Sequence, residues 1–129
     1  MRLKSGIKLL DEREGDGEPA KKGDQVIYNL TMFLNKGDEV HLNKRQAEYL
    51  PEKMLRLEGA DRLVNHTITL GRRQAVAGIE YALLGMKAGG YRKIRLSPHL
   101  AYREQGLDGL IPANAVLIVE LWLRQIVLN

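Results

Sequence analysis

A chain of 129 residues with 44% hydrophobic and 28% charged side chains has the size and composition of one globular domain, able to bury roughly two-thirds of the surface that its unfolded form exposes. It contains no cysteine, which excludes disulfides, thiolate catalysis and thiolate metal ligands, and no apolar run near the roughly 18 residues that a membrane span needs. A net charge of +4 permits loose contact with anionic polymers but does not require it, so no nucleic-acid role follows.

The opening MRLKSGIKLLDEREGDGEP lacks the apolar core of a secretory signal, and a cytoplasmic, soluble protein is the expectation. Residues 7–10 read as a short strand, and the glycine-rich, charged stretch 12–24 as a loop. The sequence VIYNLTMFL over 26–34 reads as a second strand, Asn35-Lys36-Gly37-Asp38 as a tight turn, and 40–42 as the return. Residues 44–57 have helix-forming composition, but Pro51 lacks an amide hydrogen and divides them into two short helices, with Gly59 as the stop. A strand is expected over 63–70. From Gln74, the spacing of Val76, Ile79, Leu83 and Met86 places apolar groups on one helical face, and 87–90 ends that helix. Ile94 and Leu96 alternate with Lys93 and Arg95 as in a half-buried strand, and Leu117, Val119, Leu121 and Leu123 share one face of a long final strand.

Several chemistry-bearing residues lack a pattern. His41, His66 and His99 are scattered without ligand spacing, so no metal and no cofactor is expected. Glu80, Glu104, Asp108 and Glu120 show no acid–base pairing and read as solvated charges. The basic runs at 71–73 and 91–95 read as exposed surface. Tyr49, Leu50, Met54, Leu55 and Leu57 give the 44–62 region an apolar component, either a cover for the core or a surface for unfolded segments.

Taken together, Gly37, Leu70-Gly71, Gly78-Ile79-Glu80, Gly85-Met86-Lys87-Ala88-Gly89, Ser97-Pro98, Ala101-Tyr102, Gly106 and the run from Ile111 through Pro112 to Leu117 stand in an order that resembles the FKBP-type peptidyl-prolyl isomerase family. The resemblance implies an α+β fold over residues 1–129, a curved antiparallel β-sheet wrapped around one main α-helix. Residues 44–62 form an enlarged loop with extra short helices.

It also implies isomerisation of X-Pro bonds in protein folding, with proline-containing peptides or unfolded segments as partners. A non-catalytic peptide-binding or chaperone module on the same fold is the alternative. The family's apolar pocket, floored at Ile79, maps onto Ala75 and Val76, with Tyr102 and the backbone N–H of Ile111 as donors in catalysis and Leu110 at the rim. The wall tyrosine falls at Leu30, a phenylalanine–aspartate pair at Val40-His41, another phenylalanine near His66, and a final-strand phenylalanine at Val119. The glycine after the pocket tyrosine is Arg103. These replacements predict a weaker grip on proline and reduced activity, since each aromatic ring would bury about 150–250 Å².

Overall fold

The computed structural model describes residues 3–127. In chain order the elements are β1 (Ile7–Arg13), β2 (Gln25–Leu34), α1 (Leu42–Ala47), β3 (Leu55–Glu58), β4 (Asp61–Val64), β5 (His66–Thr69), α2 (Ala77–Leu83), β6 (Tyr91–Leu96) and β7 (Leu117–Val127). Five strands make one antiparallel sheet in the order β1-β6-β7-β2-β5, and β3 and β4 form a separate hairpin. The α+β architecture expected from the motifs is the one observed.

Strand periodicity builds the core. Side chains alternate across a sheet, so Leu117, Val119, Leu121 and Leu123 of β7, each 0% exposed, share a face with Val26, Tyr28, Leu30 and Met32 of β2 and with Ile94 and Leu96 of β6. Ile79, Ala82 and Leu83 of α2 cover that face. Full burial of each such aliphatic side chain contributes about 1.5–3 kcal/mol.

Several boundaries differ from the expectation, each for a local reason. β1 runs on to Arg13 because it pairs with β6 through a bulge between Leu9 and Asp11, which shortens the loop. The return after the turn is a brief bridge, Val40 donating to the Met32 carbonyl at 2.8 Å, and Leu42 already opens α1. Beyond Pro51 only one 3₁₀ turn forms, at Glu52–Met54. Residues 55–57 belong to β3, and Gly59, at φ 61°, makes the hairpin turn rather than a helix stop. The expected strand 63–70 is split at Asn65, whose side chain and the Val64 carbonyl both accept from the buried Asn29 amide at 2.8 Å. α2 stops at Leu83 because Leu84 turns extended and Gly85 takes φ 84°. That bend lets Gly85 and Met86 pair with Ala20, so Met86 is buried outside the helix.

Two charged residues read as solvated are inside. Arg92 is 5% exposed. Its Nη1 donates to the Ala82 and Leu84 carbonyls at 2.8 and 3.1 Å, the groups that a helix C-terminus leaves without partners, and its Nε meets Glu12 at 2.8 Å. Glu80 is 8% exposed and accepts from the backbone N–H groups of Gly71 at 2.9 Å and Ala75 at 3.2 Å. The carboxylate therefore ties the loop after β5 to α2.

Gly78 marks where α2 touches the sheet most closely. A Cβ there would lie 2.6 Å from Leu96 Cδ2 and 2.9 Å from the Leu100 carbonyl oxygen. Alanine gains about 1 kcal/mol over glycine in helix propensity, whereas overpacking costs about 1–3 kcal/mol. Leu96 is fully buried and the second contact is backbone, so overpacking wins. Gly78→Ala is expected to lower the urea midpoint of unfolding; an unchanged or raised midpoint would show that the interface yields. Glu80→Gln removes one of two charge-assisted bonds and is expected to cost about 2 kcal/mol. Amide exchange at Gly71 and Ala75 should accelerate with it, and full protection there would show that the carboxylate does not hold the loop.

Candidate functional site

Between the sheet and the start of α2 lies a hollow of about 150 Å³. In an apolar interior about that volume holds a benzene ring, and the pyrrolidine ring of proline is smaller. Its lining comes from six places in the fold. Tyr28, Leu30 and Met32 project from β2, where residues two apart share a face. Leu42 and Gln46 come from α1, His66 from β5, and Gln74, Ala75 and Val76 from the loop that Glu80 clamps. Ile79 of α2 and Tyr102 complete the lining.

Leu30, Ala75, Val76, Ile79 and Tyr102 are therefore brought together as the motifs implied. Four other expected residues are not among those lining the hollow. Val40, 5% exposed, and Val119, 0% exposed, are core side chains. Leu110 and Ile111 border a different depression with Leu34 and Leu107. The donor role expected for Ile111 is also corrected. Its backbone N–H donates to the Leu107 carbonyl at 2.8 Å, and Leu107 donates back to the Ile111 carbonyl at 2.8 Å, so the amide is engaged within its own loop.

Tyr28 is the residue that the sequence reading missed. The wall tyrosine was assigned to Leu30, but the ring sits one pleat earlier, on the same face, directly opposite His66. The two rings stack with centroids 5.2 Å apart and planes at 24°. The resemblance put Leu30 in the wall, and the period of two along a strand puts Tyr28 on the same face, which was the available signal. The wall thus keeps aromatic surface although Leu30 has none.

The hollow's titratable groups are held neutral. Burial, then the Glu80 carboxylate and then Tyr102 push the Tyr28 phenol well above its ordinary range. Burial likewise pushes Tyr102 up and the His66 imidazole down. Near pH 7 both phenols carry their protons and His66 is uncharged. No acceptor meets the Tyr102 hydroxyl among the described residues. Val76 is the N-cap of α2, so its backbone N–H lies ahead of the helical ladder, and it too meets no acceptor among the described residues. The site therefore combines an apolar floor, stacked rings on one wall and two uncommitted donors. Among the described residues no three His, Cys, Asp or Glu side chains are grouped to hold a metal, and no helix is long and apolar enough to cross a membrane.

Residues 16–123 match the model of the FKBP-type peptidyl-prolyl cis-trans isomerase family. The chain is 34% identical over 116 residues to FK506-binding protein 1A of Neurospora crassa, an alignment covering 89% of this chain and 83% of that one. It is 31% identical over 121 residues to the FK506-binding protein of Neisseria meningitidis serogroup B, covering 94% and 96%. It is 29% identical to FK506-binding protein 4 of Chaetomium thermophilum over 98% of its own length, yet spans only 22% of that longer protein. A family match over most of the chain, on a sheet and helix arranged as the motifs required, leaves one assignment: the chain belongs to the FKBP-type peptidyl-prolyl cis-trans isomerase family.

Proposed function

We propose that the hollow beneath Tyr102 receives a prolyl ring and that the chain accelerates cis–trans isomerisation of the preceding peptide bond, the reaction of its family. The observation that carries this reading is a ring-sized hollow with an apolar floor, whose lining residues Tyr102 and Val76 each carry a donor without an internal partner among the described residues. Rotation about a peptide bond faces a barrier of about 18–20 kcal/mol because resonance stiffens the C–N bond. Unaided X-Pro bonds exchange over roughly tens to hundreds of seconds. A site that binds the twisted amide more tightly than either planar form lowers that barrier, with no nucleophile and no metal.

Leu30, Val76 and Ile79 supply a surface from which water is excluded, so the substrate carbonyl loses the solvent hydrogen bonds that favour planarity. Tyr28 stacked on His66 supports the ring from the side. Tyr102 donates its phenolic proton to one substrate carbonyl, and the Val76 N–H takes the second donor role in place of Ile111. Leu110, Ile111, Val40 and Val119 contribute by packing around the site, not by touching the ring. With Leu30 and Val40 aliphatic, the grip on proline is weaker than a fuller set of rings would give, and turnover is correspondingly reduced.

A second reading rests on the 42–64 segment, where Tyr49 is 86% exposed and Leu57 71%. In that reading the chain holds unfolded segments without turning them over, so affinity for peptides exists without rate acceleration.

An exchange measurement by NMR on a Leu-Pro peptide separates the two, because it reports affinity and isomerisation rate from one sample. Acceleration is expected, and binding with no acceleration at high protein concentration would reject the isomerase reading. Tyr102→Phe is expected to slow exchange about three- to tenfold, the loss of one transition-state hydrogen bond. Its urea midpoint should stay put, since the hydroxyl has no internal partner to lose. A variant with unaltered rate would remove Tyr102 from the mechanism.

A further inference from the structure

Gln74 is the polar residue of the hollow whose amide the fold holds in place. β5 is an edge strand of the sheet, and an edge strand leaves its outward N–H groups unpaired. Thr69, the last residue of β5, gives its N–H to Gln74 Oε1 at 2.7 Å. The turn that brings the two together uses left-handed backbone at Gly71, φ 91°, and at Arg73, φ 56°. Side chains other than glycine rarely take that conformation, and here Glu80 holds both ends of the turn, at Gly71 and at Ala75. Gln74 lines the hollow beside Ala75 and Val76.

The anchored oxygen sets the orientation of the amide. With Oε1 on the Thr69 N–H, Nε2 takes the other side of the amide group and keeps two N–H donors. Neither meets an acceptor among the described residues. Gln46 lines the hollow too, but among the described residues no contact fixes its side chain. It would lose rotamer freedom on binding a ligand. The Gln74 amide has given up that freedom beforehand.

An X-Pro segment is rich in acceptors. Proline has no N–H, so the residue before X, X itself and proline offer three backbone carbonyls and only two N–H groups. Tyr102 and Val76 supply one donor each, which leaves one carbonyl unmatched. We infer that Gln74 is the third donor of the site, its Nε2 binding a main-chain carbonyl that flanks the rotating bond while its Oε1 stays on Thr69. The inference rests on the hollow being the proline site and adds a substrate-binding residue to it. A flanking carbonyl keeps its resonance while the prolyl bond twists, so this bond is equally strong in the planar and twisted states. It lowers KM and leaves kcat unchanged.

Gln74→Glu is the discriminating variant, because a carboxylate keeps an acceptor for Thr69 and removes both N–H donors. NMR exchange on a Leu-Pro peptide should give a KM about three- to tenfold higher with kcat the same, the loss of one hydrogen bond. At about 1 M salt, where charges act over only about 3 Å, the loss should persist, since it comes from the missing donor and not from the added charge. The neutral variant Gln74→Met should raise KM alike. Amide exchange at Thr69 should stay slow in Gln74→Glu, which shows the cap of β5 intact.

A side chain that only caps β5 predicts an unaltered KM for Gln74→Glu. That result, or a KM restored at 1 M salt, would overturn the third donor and leave the proline site standing as long as the Leu-Pro peptide still isomerises. The unsubstituted chain gives a readout that needs no variant to fold. At saturating peptide one of the two Gln74 side-chain N–H protons should shift downfield, and unmoved signals would overturn the inference as well. Failure of the unsubstituted chain to bind the Leu-Pro peptide at all would overturn the proline site and the third donor together.

Discussion

One buried carboxylate sets the geometry on which the site depends. Glu80 sits at the inner end of the loop after β5 and accepts from the Gly71 and Ala75 amides, so the residues between them cannot drift from α2. Gln74, Ala75 and Val76, three of the side chains around the hollow, lie in or next to that clamp. A buried carboxylate without hydrogen bonds would be costly. Here both oxygens are engaged, so the charge is satisfied and the loop ordered by the same contacts. Burial first, and then the charge of the same group, push the Tyr28 phenol pKa up, so the aromatic wall stays protonated.

The outer face of the sheet solves a second positioning problem, that of the 42–64 segment. Arg124 of β7 donates from Nη2 to Glu58 of the hairpin at 2.7 Å and from Nε to Asn29 Oδ1 at 2.7 Å. Asn29 passes its own amide to Val64 and Asn65. This chain of bonds fastens β3 and β4 to the sheet. α1 packs against β4, and through it Leu42 and Gln46 reach the hollow. A segment that could have been a detached loop thereby becomes part of the pocket wall.

Burial sets the charge state of the site. Inside, desolvation keeps Tyr28, Tyr102 and His66 uncharged, which suits binding an amide whose resonance is being broken.

The sequence alone determined the fold class, the core faces of β6 and β7, and, through the family resemblance, five of the residues around the hollow. Alternation in strands and glycines at turns are local rules, and the order of short motifs carries the rest. It could not decide which polar side chains go inside. Arg92 and Glu80 look like surface charges until α2's last carbonyls and the 71–75 amides come within reach of them, and those neighbours are distant or folded back in the chain. Nor could it show that Ile111's amide closes on Leu107, or that the ring opposite His66 belongs to Tyr28 and not to position 30. Each of these depends on a partner that only tertiary packing supplies: periodicity assigns a residue to a face, and the packed chain determines what that face meets.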